Sequence, residues 1–247
     1  MYINFRTMNS IRSILLSVCL LLIGNVTKSQ VSKGEGALKT DIRELTGFTE
    51  IVAQGSFELT LQQGEQEGVR IESDENLLEL FQTRIEGKRL YISMAADVRK
   101  YSVLKVTVSF KELKRIMLFN EITLNTKSLI HFDDLEIFAG GMSKINFEIY
   151  TTRLKLQIVD GCFAYFKGYA ESFVAEMHDE TELNAFDMQT DTCTVLASGL
   201  SEVSISVQKK MDITVSGSSN IYYTGEPAII ERIFSSNGFI VKRKKNQ

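Results

Sequence analysis

The sequence predicts an all-β, single-domain β-solenoid, a parallel β-helix-like stack of coils of about nineteen residues. Three observations predict it. A thirteen-residue pattern recurs at Leu135, Leu154, Phe173, Cys193 and Met211, with starts 19, 19, 20 and 18 residues apart. Each copy alternates apolar and polar residues on both sides of one turn position. The chain also lacks Trp, has a single proline and is rich in β-branched residues, which fits an all-β fold better than an α/β one with a helix between successive strands.

The copies read LEIFAGGMSKINF, LKLQIVDGCFAYF, FVAEMHDETELNA, CTVLASGLSEVSI and MDITVSGSSNIYY. Side chains alternate faces along a strand, so positions 1, 3, 5, 11 and 13 share one face. In every copy that face is apolar, as in Leu154, Leu156, Ile158, Ala164 and Phe166, whereas even positions such as Lys155, Gln157 and Thr214 are mostly polar. Position 7 holds Gly141, Asp160, Asp179, Gly199 and Gly217, residues that tolerate a tight or left-handed corner. One copy cannot bury its apolar face alone. Copies stacked at about 4.8 Å bury a continuous core.

An earlier copy starts at Leu113, with Ile116, Leu118, Ile122 and Leu124 inside and a corner at Asn120 and Glu121. The N-terminal third continues the stack with strands that bury Phe57, Leu59, Leu61, Val69, Ile71, Leu90, Ile92, Val106 and Val108. Residues 75–85 (ENLLELFQTRI) read as a short helix. Residues 227–234 (PAIIERIF), opening on the only proline, read as a second helix or as a short C-terminal cap over an exposed sheet edge. The expected division is a signal peptide at 1–29, a linker at 30–40, the solenoid domain at 41–240 and a basic tail at 241–247. A β-sandwich is the alternative architecture.

The signal peptide is expected from Arg6 and Arg12, the apolar run at 13–24 and small residues Thr27 and Ser29 before Gln30. The run is shorter than the ~20 residues that span a bilayer. Cys19 lies inside it behind Val18, an unsuitable setting for a lipoprotein cysteine. Cleavage would remove three of the 28 basic residues and none of the 31 acidic ones, leaving a chain near −6. No integral membrane segment would remain. A net-acidic chain without a basic stripe argues against nucleic acid as a partner, and the tail at 242–245 (KRKK) reads as a solvated terminus. Cys162 and Cys193 are expected as buried free thiols.

The segments at 43–64 (RELTGFTEIVAQGSFELTLQQG), 68–94 (GVRIESDENLLELFQTRIEGKRLYISM) and 103–118 (VLKVTVSFKELKRIML) occur in an order that resembles the auto-transporter adhesin head GIN domain family. The segment at 215–225 (VSGSSNIYYTG) resembles that family's Ser-Gly repeats, and the one at 197–200 (ASGL) does so in part. The middle copies, with Asp160-Gly161 and Asp179-Glu180 at the corner, depart from it. The resemblance spans roughly 41–225. It implies a secreted or envelope protein of Bacteroidetes type with a β-helix-like fold, and it brings no catalytic residues with it.

Asp160 and Asp179 hold the same corner on adjacent coils, close enough for two carboxylates to divide acid and base roles on a polysaccharide, with His178 and Glu180 alongside. The competing account is that aspartate replaces glycine for backbone reasons, as Gly141 and Gly199 in neighbouring copies indicate. No metal site is expected: the β-roll calcium nonapeptide is absent, Asp133, Asp134 and Asp187 lack regularly spaced liganding neighbours, and the two histidines, His131 and His178, have no ligand cluster. No nucleotide-binding or serine-hydrolase motif appears, and no cofactor is expected. Position 12 faces outward and holds Asn146, Tyr165, Asn184, Ser204 and Tyr222. Exposed amides and aromatics suit a saccharide or a partner protein, although scattered surface aromatics are common. The expected function is therefore non-enzymatic, adhesin-like binding of a surface glycan or envelope protein, in the periplasm or at the cell surface, through Asn146, Tyr165, Asn184 and Tyr222. The alternatives are a polysaccharide-active enzyme using Asp160 and Asp179, and a structural module of an envelope assembly.

Overall fold

A computed structural model describes residues 32–233 and 237–244; the expected signal peptide and the last three residues of the tail lie outside the described residues. The elements in chain order are β1 (Leu38–Arg43), β2 (Glu50–Gln63), β3 (Gly68–Asp74), a 3-10 helix (Glu75–Leu80), β4 (Phe81–Glu86), β5 (Arg89–Met94), β6 (Leu104–Phe110), β7 (Arg115–Thr126), β8 (Ile130–Ala139), β9 (Lys144–Ile158), β10 (Phe163–Met177), β11 (Glu182–Ala197), β12 (Glu202–Val215), β13 (Asn220–Thr224), β14 (Ala228–Ile233) and β15 (Phe239–Lys242). From β7 onward every pairing is parallel and follows the repeat, with Leu156↔Ala175, Ala175↔Val195 and Val195↔Ile213 on successive coils. The expected solenoid is therefore the fold, and this coil-on-coil parallel register rules out a sandwich.

The long strands each wrap around two sides of a coil. In β9, Ile145 and Phe147 follow one corner, and Leu154, Leu156 and Ile158 precede the next. A second bend near residues 148–153 joins the two halves. The inner positions of all five copies are buried, apart from the partly buried Tyr223 in the last copy. Phenylalanines form a column through the core: Phe110, Phe132, Phe147 and Phe166 follow one another at ring separations of 5.9, 6.3 and 5.9 Å. Burying such side chains contributes about 1.5–3 kcal/mol each.

The corners form one left-handed column. Asn120, Gly141, Asp160, Asp179, Gly199 and Gly217 have φ of 71, 73, 59, 65, 77 and 70°. Each corner is tied to its neighbour through the backbone: Met142 N–H donates to Asp160 O (3.0 Å) and Leu200 N–H to Asp179 O (3.1 Å).

Among the N-terminal strands, β2 runs parallel to β7 along most of its length and adds a rung. Its two halves pair on the other side with β5 and β6. Strands β1, β3 and β4 run antiparallel to their neighbours, so this end is a mixed sheet rather than more coils.

One local expectation is corrected and one is decided. The helix expected over 75–85 stops at Leu80. Phe81–Glu86 instead pairs antiparallel with Arg89–Met94 around a turn at Gly87 (φ 62°), and Phe81 packs edge-on against Phe57 at 5.6 Å. Of the two forms expected for the segment after Pro227, the helix is not formed, and the segment covers the sheet edge as the other foresaw. Ala228–Ile233 runs parallel to β12 as one further rung, satisfying backbone groups that the last sheet edge would otherwise leave unpaired.

Candidate functional site

Parallel pairing that stays in register on the corner side of each coil brings equivalent outward residues into columns. The site residues expected from the sequence fall in one of them: Asn125, Asn146, Tyr165, Asn184, Ser204 and Tyr222 are register partners on consecutive rungs. Asn146, Tyr165 and Asn184 are adjacent, and Tyr222 lies two rungs beyond Asn184.

The column is hydrogen-bonded. Asn146 Nδ2 donates to Asn125 Oδ1 (2.9 Å), and Asn125 Nδ2 donates to Glu58 Oε1 (3.3 Å). Tyr165 Oη donates to Asp187 Oδ2 (2.7 Å), and this bond to a carboxylate raises the phenol pKa. Tyr222 is less available than its position implies. Its ring packs edge-on against Phe239 at 5.7 Å, and the Arg243 guanidinium sits 4.5 Å from its centroid. The basic tail thus begins as a cation–π contact on a predicted site residue.

A second outward column lies on the second bend and was not anticipated. The rings of His131, Tyr150 and Tyr169 follow one another at 5.6 and 5.1 Å. Gln63 continues it, donating from Nε2 to His131 O (3.0 Å) and accepting the His131 N–H at Oε1 (3.1 Å). The phenol of Tyr169 is raised by desolvation and by its bond to Asp191, whose carboxyl is lowered chiefly by Lys209 (2.7 Å). The signal was present: residues 131, 150 and 169 are one repeat apart. They fall between the thirteen-residue copies and so escape a reading confined to them. The rings are tilted to one another by 38 and 32°, and Tyr150 between the other two is exposed.

Asp160 and Asp179 lie at exposed corners in the left-handed conformation shared with the corner glycines, which a backbone role explains. His178 Nδ1 is 2.8 Å from Ser198 Oγ one coil away. Just inside the corner runs a buried column that the sequence reading missed: Ser143, Cys162, Thr181, Ser201 and Ser219, all at position 9. Ser201 Oγ lies 3.0 Å from Thr181 Oγ1, and its one proton has Ser198 O (2.8 Å) and Asp179 O (3.1 Å) within reach. Ser201→Ala removes these bonds, and Asp179 O keeps only the Leu200 N–H. It is expected to cost about 1–2 kcal/mol in urea denaturation. Burial raises both thiols, Cys162 and Cys193, so neither is a ready nucleophile. Among the described residues no group of three or more His, Cys, Asp or Glu could hold a metal ion, and no helix is long and apolar enough to cross a membrane.

A β-solenoid with hydrogen-bonded polar columns on its flank defines a class of repetitive surface scaffolds. Residues 47–227 match the family model described as "Putative auto-transporter adhesin, head GIN domain", and the chain belongs to that family. Similar solved structures include a "putative adhesin" from Bacteroides fragilis NCTC 9343 (17% identity, 85% of this chain and 98% of that one, TM-score 0.72). Another is a "putative lipid binding protein" from Parabacteroides distasonis ATCC 8503 (20%, 87% and 100%, TM-score 0.73). A third is a "putative adhesin" from Parabacteroides merdae ATCC 43184 (20%, 86% and 98%, TM-score 0.66). At these identities the likeness establishes the fold. No curated protein matches the sequence. Membership of an adhesin-head family supports a binding role and an extracellular or surface setting.

Proposed function

We propose that this is a non-enzymatic, secreted or envelope-associated binding protein of adhesin type, which recognises a surface glycan or envelope protein through the flank bearing Asn146, Tyr165 and Asn184. The observation that carries the reading is the alignment of these residues on three adjacent rungs, which presents amide and phenol groups at a spacing of about 4.8 Å. A repeating polar ladder matches a repeating ligand, and family membership agrees with it. The place of Tyr222 in this surface is at its margin, against Phe239 and Arg243.

The test is binding of the full mature chain to a glycan array and to envelope protein fractions, with assay for reducing-sugar release. Binding without release is expected, and Tyr165→Ala combined with Asn146→Ala should weaken it by about tenfold or more, the size of a binding hot spot. Reducing-sugar release that disappears in Asp160→Asn with Asp179→Asn would replace this reading with the polysaccharide-active one. Co-purification with an envelope assembly, unaffected by the flank variants, would replace it with the structural one.

A further inference from the structure

We propose that a cleft at the N-terminal end of the same flank is a subsite for a short, neutral oligosaccharide; this rests on the binding reading above and locates it. The cleft measures about 580 Å³, within the range of small-molecule sites. Its floor is the outward column next to the Asn125–Asn146 pair: Glu58, Thr123 and Lys144 are register partners on consecutive rungs, spanning about 10 Å end to end. Its opposite wall is the loop at 95–103, which places Tyr101 and Ser102 over that floor.

The chemistry of the lining selects the ligand. Tyr101 is 49% exposed and Met142, at the corner, is 60% exposed, so the cleft has apolar surface on which a sugar's C–H face can rest. Among the described residues Glu121 accepts only from Ser56 Oγ (3.3 Å) and Lys144 makes no ion pair, so acceptor and donor capacity is left for hydroxyls. Glu58 is already matched by Lys105 (3.3 Å). The two uncommitted charges, Glu121 and Lys144, are opposite, so the lining favours no net ligand charge. A polar stripe along the floor is poorly suited to an acyl chain, whose burial would strip water from those groups.

The wall is held in place before any ligand arrives. Ser102 N–H donates to the buried Asp74 carboxylate (2.8 Å), which lowers that group's pKa. Ser32 bridges Val98, through Ser32 N–H to Asp97 O (2.9 Å) and Arg99 N–H to Ser32 O (2.9 Å). Gly34 N–H donates to Lys100 O (2.8 Å), and a Cβ at Gly34 would lie 2.1 Å from Asp74 Oδ2. A preformed wall removes the ordering cost of binding.

The experiment is calorimetric titration of the full mature chain with maltotriose, mannotriose and triacetylchitotriose. A sialylated trisaccharide and a lauroyl fatty acid are titrated alongside. At least one neutral trisaccharide should bind, with Tyr101→Ala and Glu121→Gln each weakening it at least tenfold and Tyr150→Ala leaving it unchanged. Unaltered melting of the two cleft variants would separate lost contacts from lost folding. Binding that survives both cleft variants but falls in Asn146→Ala with Tyr165→Ala would overturn the cleft and leave the flank reading standing. Binding of the sialylated or fatty-acid probe alone, or of no probe, would overturn the proposal, whatever the array measurement on intact glycans returns.

Discussion

Gly168→Ala is expected to be among the most damaging single-methyl changes in this protein. Gly168 has φ of 118°, and a Cβ there would stand 2.0 Å from Ile149 O on the preceding coil. The neighbouring backbone passes where any side chain would go. Strained backbone alone costs about 1–3 kcal/mol. Separating two hydrogen-bonded coils adds to it, so a total loss of about 3 kcal/mol or more is expected. For a domain of this size that lowers the melting temperature by roughly 6–12 °C. Gly161→Ala is the control. Its φ is also positive, at 77°, but the nearest atom to its Cβ would be 3.6 Å away. It should cost only about 1–2 kcal/mol, the left-handed strain without the collision. Equal losses in both variants, measured by thermal melting, would show that coil contact at the second bend is looser than described.

Ile213→Asp is expected to cost about 3–5 kcal/mol, because it places an unpaired carboxylate in the core. Ile213 is fully buried between Val195 on one coil and the backbone of β14 on the next. Thr214→Asp, one residue along and on the outward face, should change stability by no more than about 0.5 kcal/mol. Chemical denaturation of the pair measures the alternation directly. A larger loss at Thr214 would mean that the strand presents its other face to the core.

Much of this fold was legible because the solenoid repeats its physics. Alternation along a strand reports which side is buried, and a turn residue recurring at one position reports a corner. Leu156, Ala175, Val195 and Ile213 lie inside, and Asp160 and Asp179 are left-handed, for those reasons. The same periodicity made the column of Asn146, Tyr165 and Asn184 readable. Its partners were not: Asp187 comes from the irregular second bend, and Phe239 and Arg243 from the chain end. Residues 75–85 misled because Leu77, Leu78 and Glu79 favour a helix locally, while packing on Phe57 and pairing with β5 decide the conformation of Phe81–Glu86. Pro227 suits the start of a helix, but an open rung to its side offers a whole row of hydrogen bonds. The cleft was beyond reach of any pattern, since its wall and floor are brought together by the pairing of β5 and β6 with β2 and by the ties of Asp74 and Ser32 to the loop at 95–103.

The first position of the pattern and the corner are six residues apart in all five copies, whereas the spacing between copies differs. The difference is taken up at the second bend, where the β11–β12 register skips between Ala185 and Gln189. Gain or loss of residues is therefore confined to one side of the molecule. Related chains should differ by insertions near residues 186–191, and a peptide tag placed there should be accepted while the same tag at Gly199 should not.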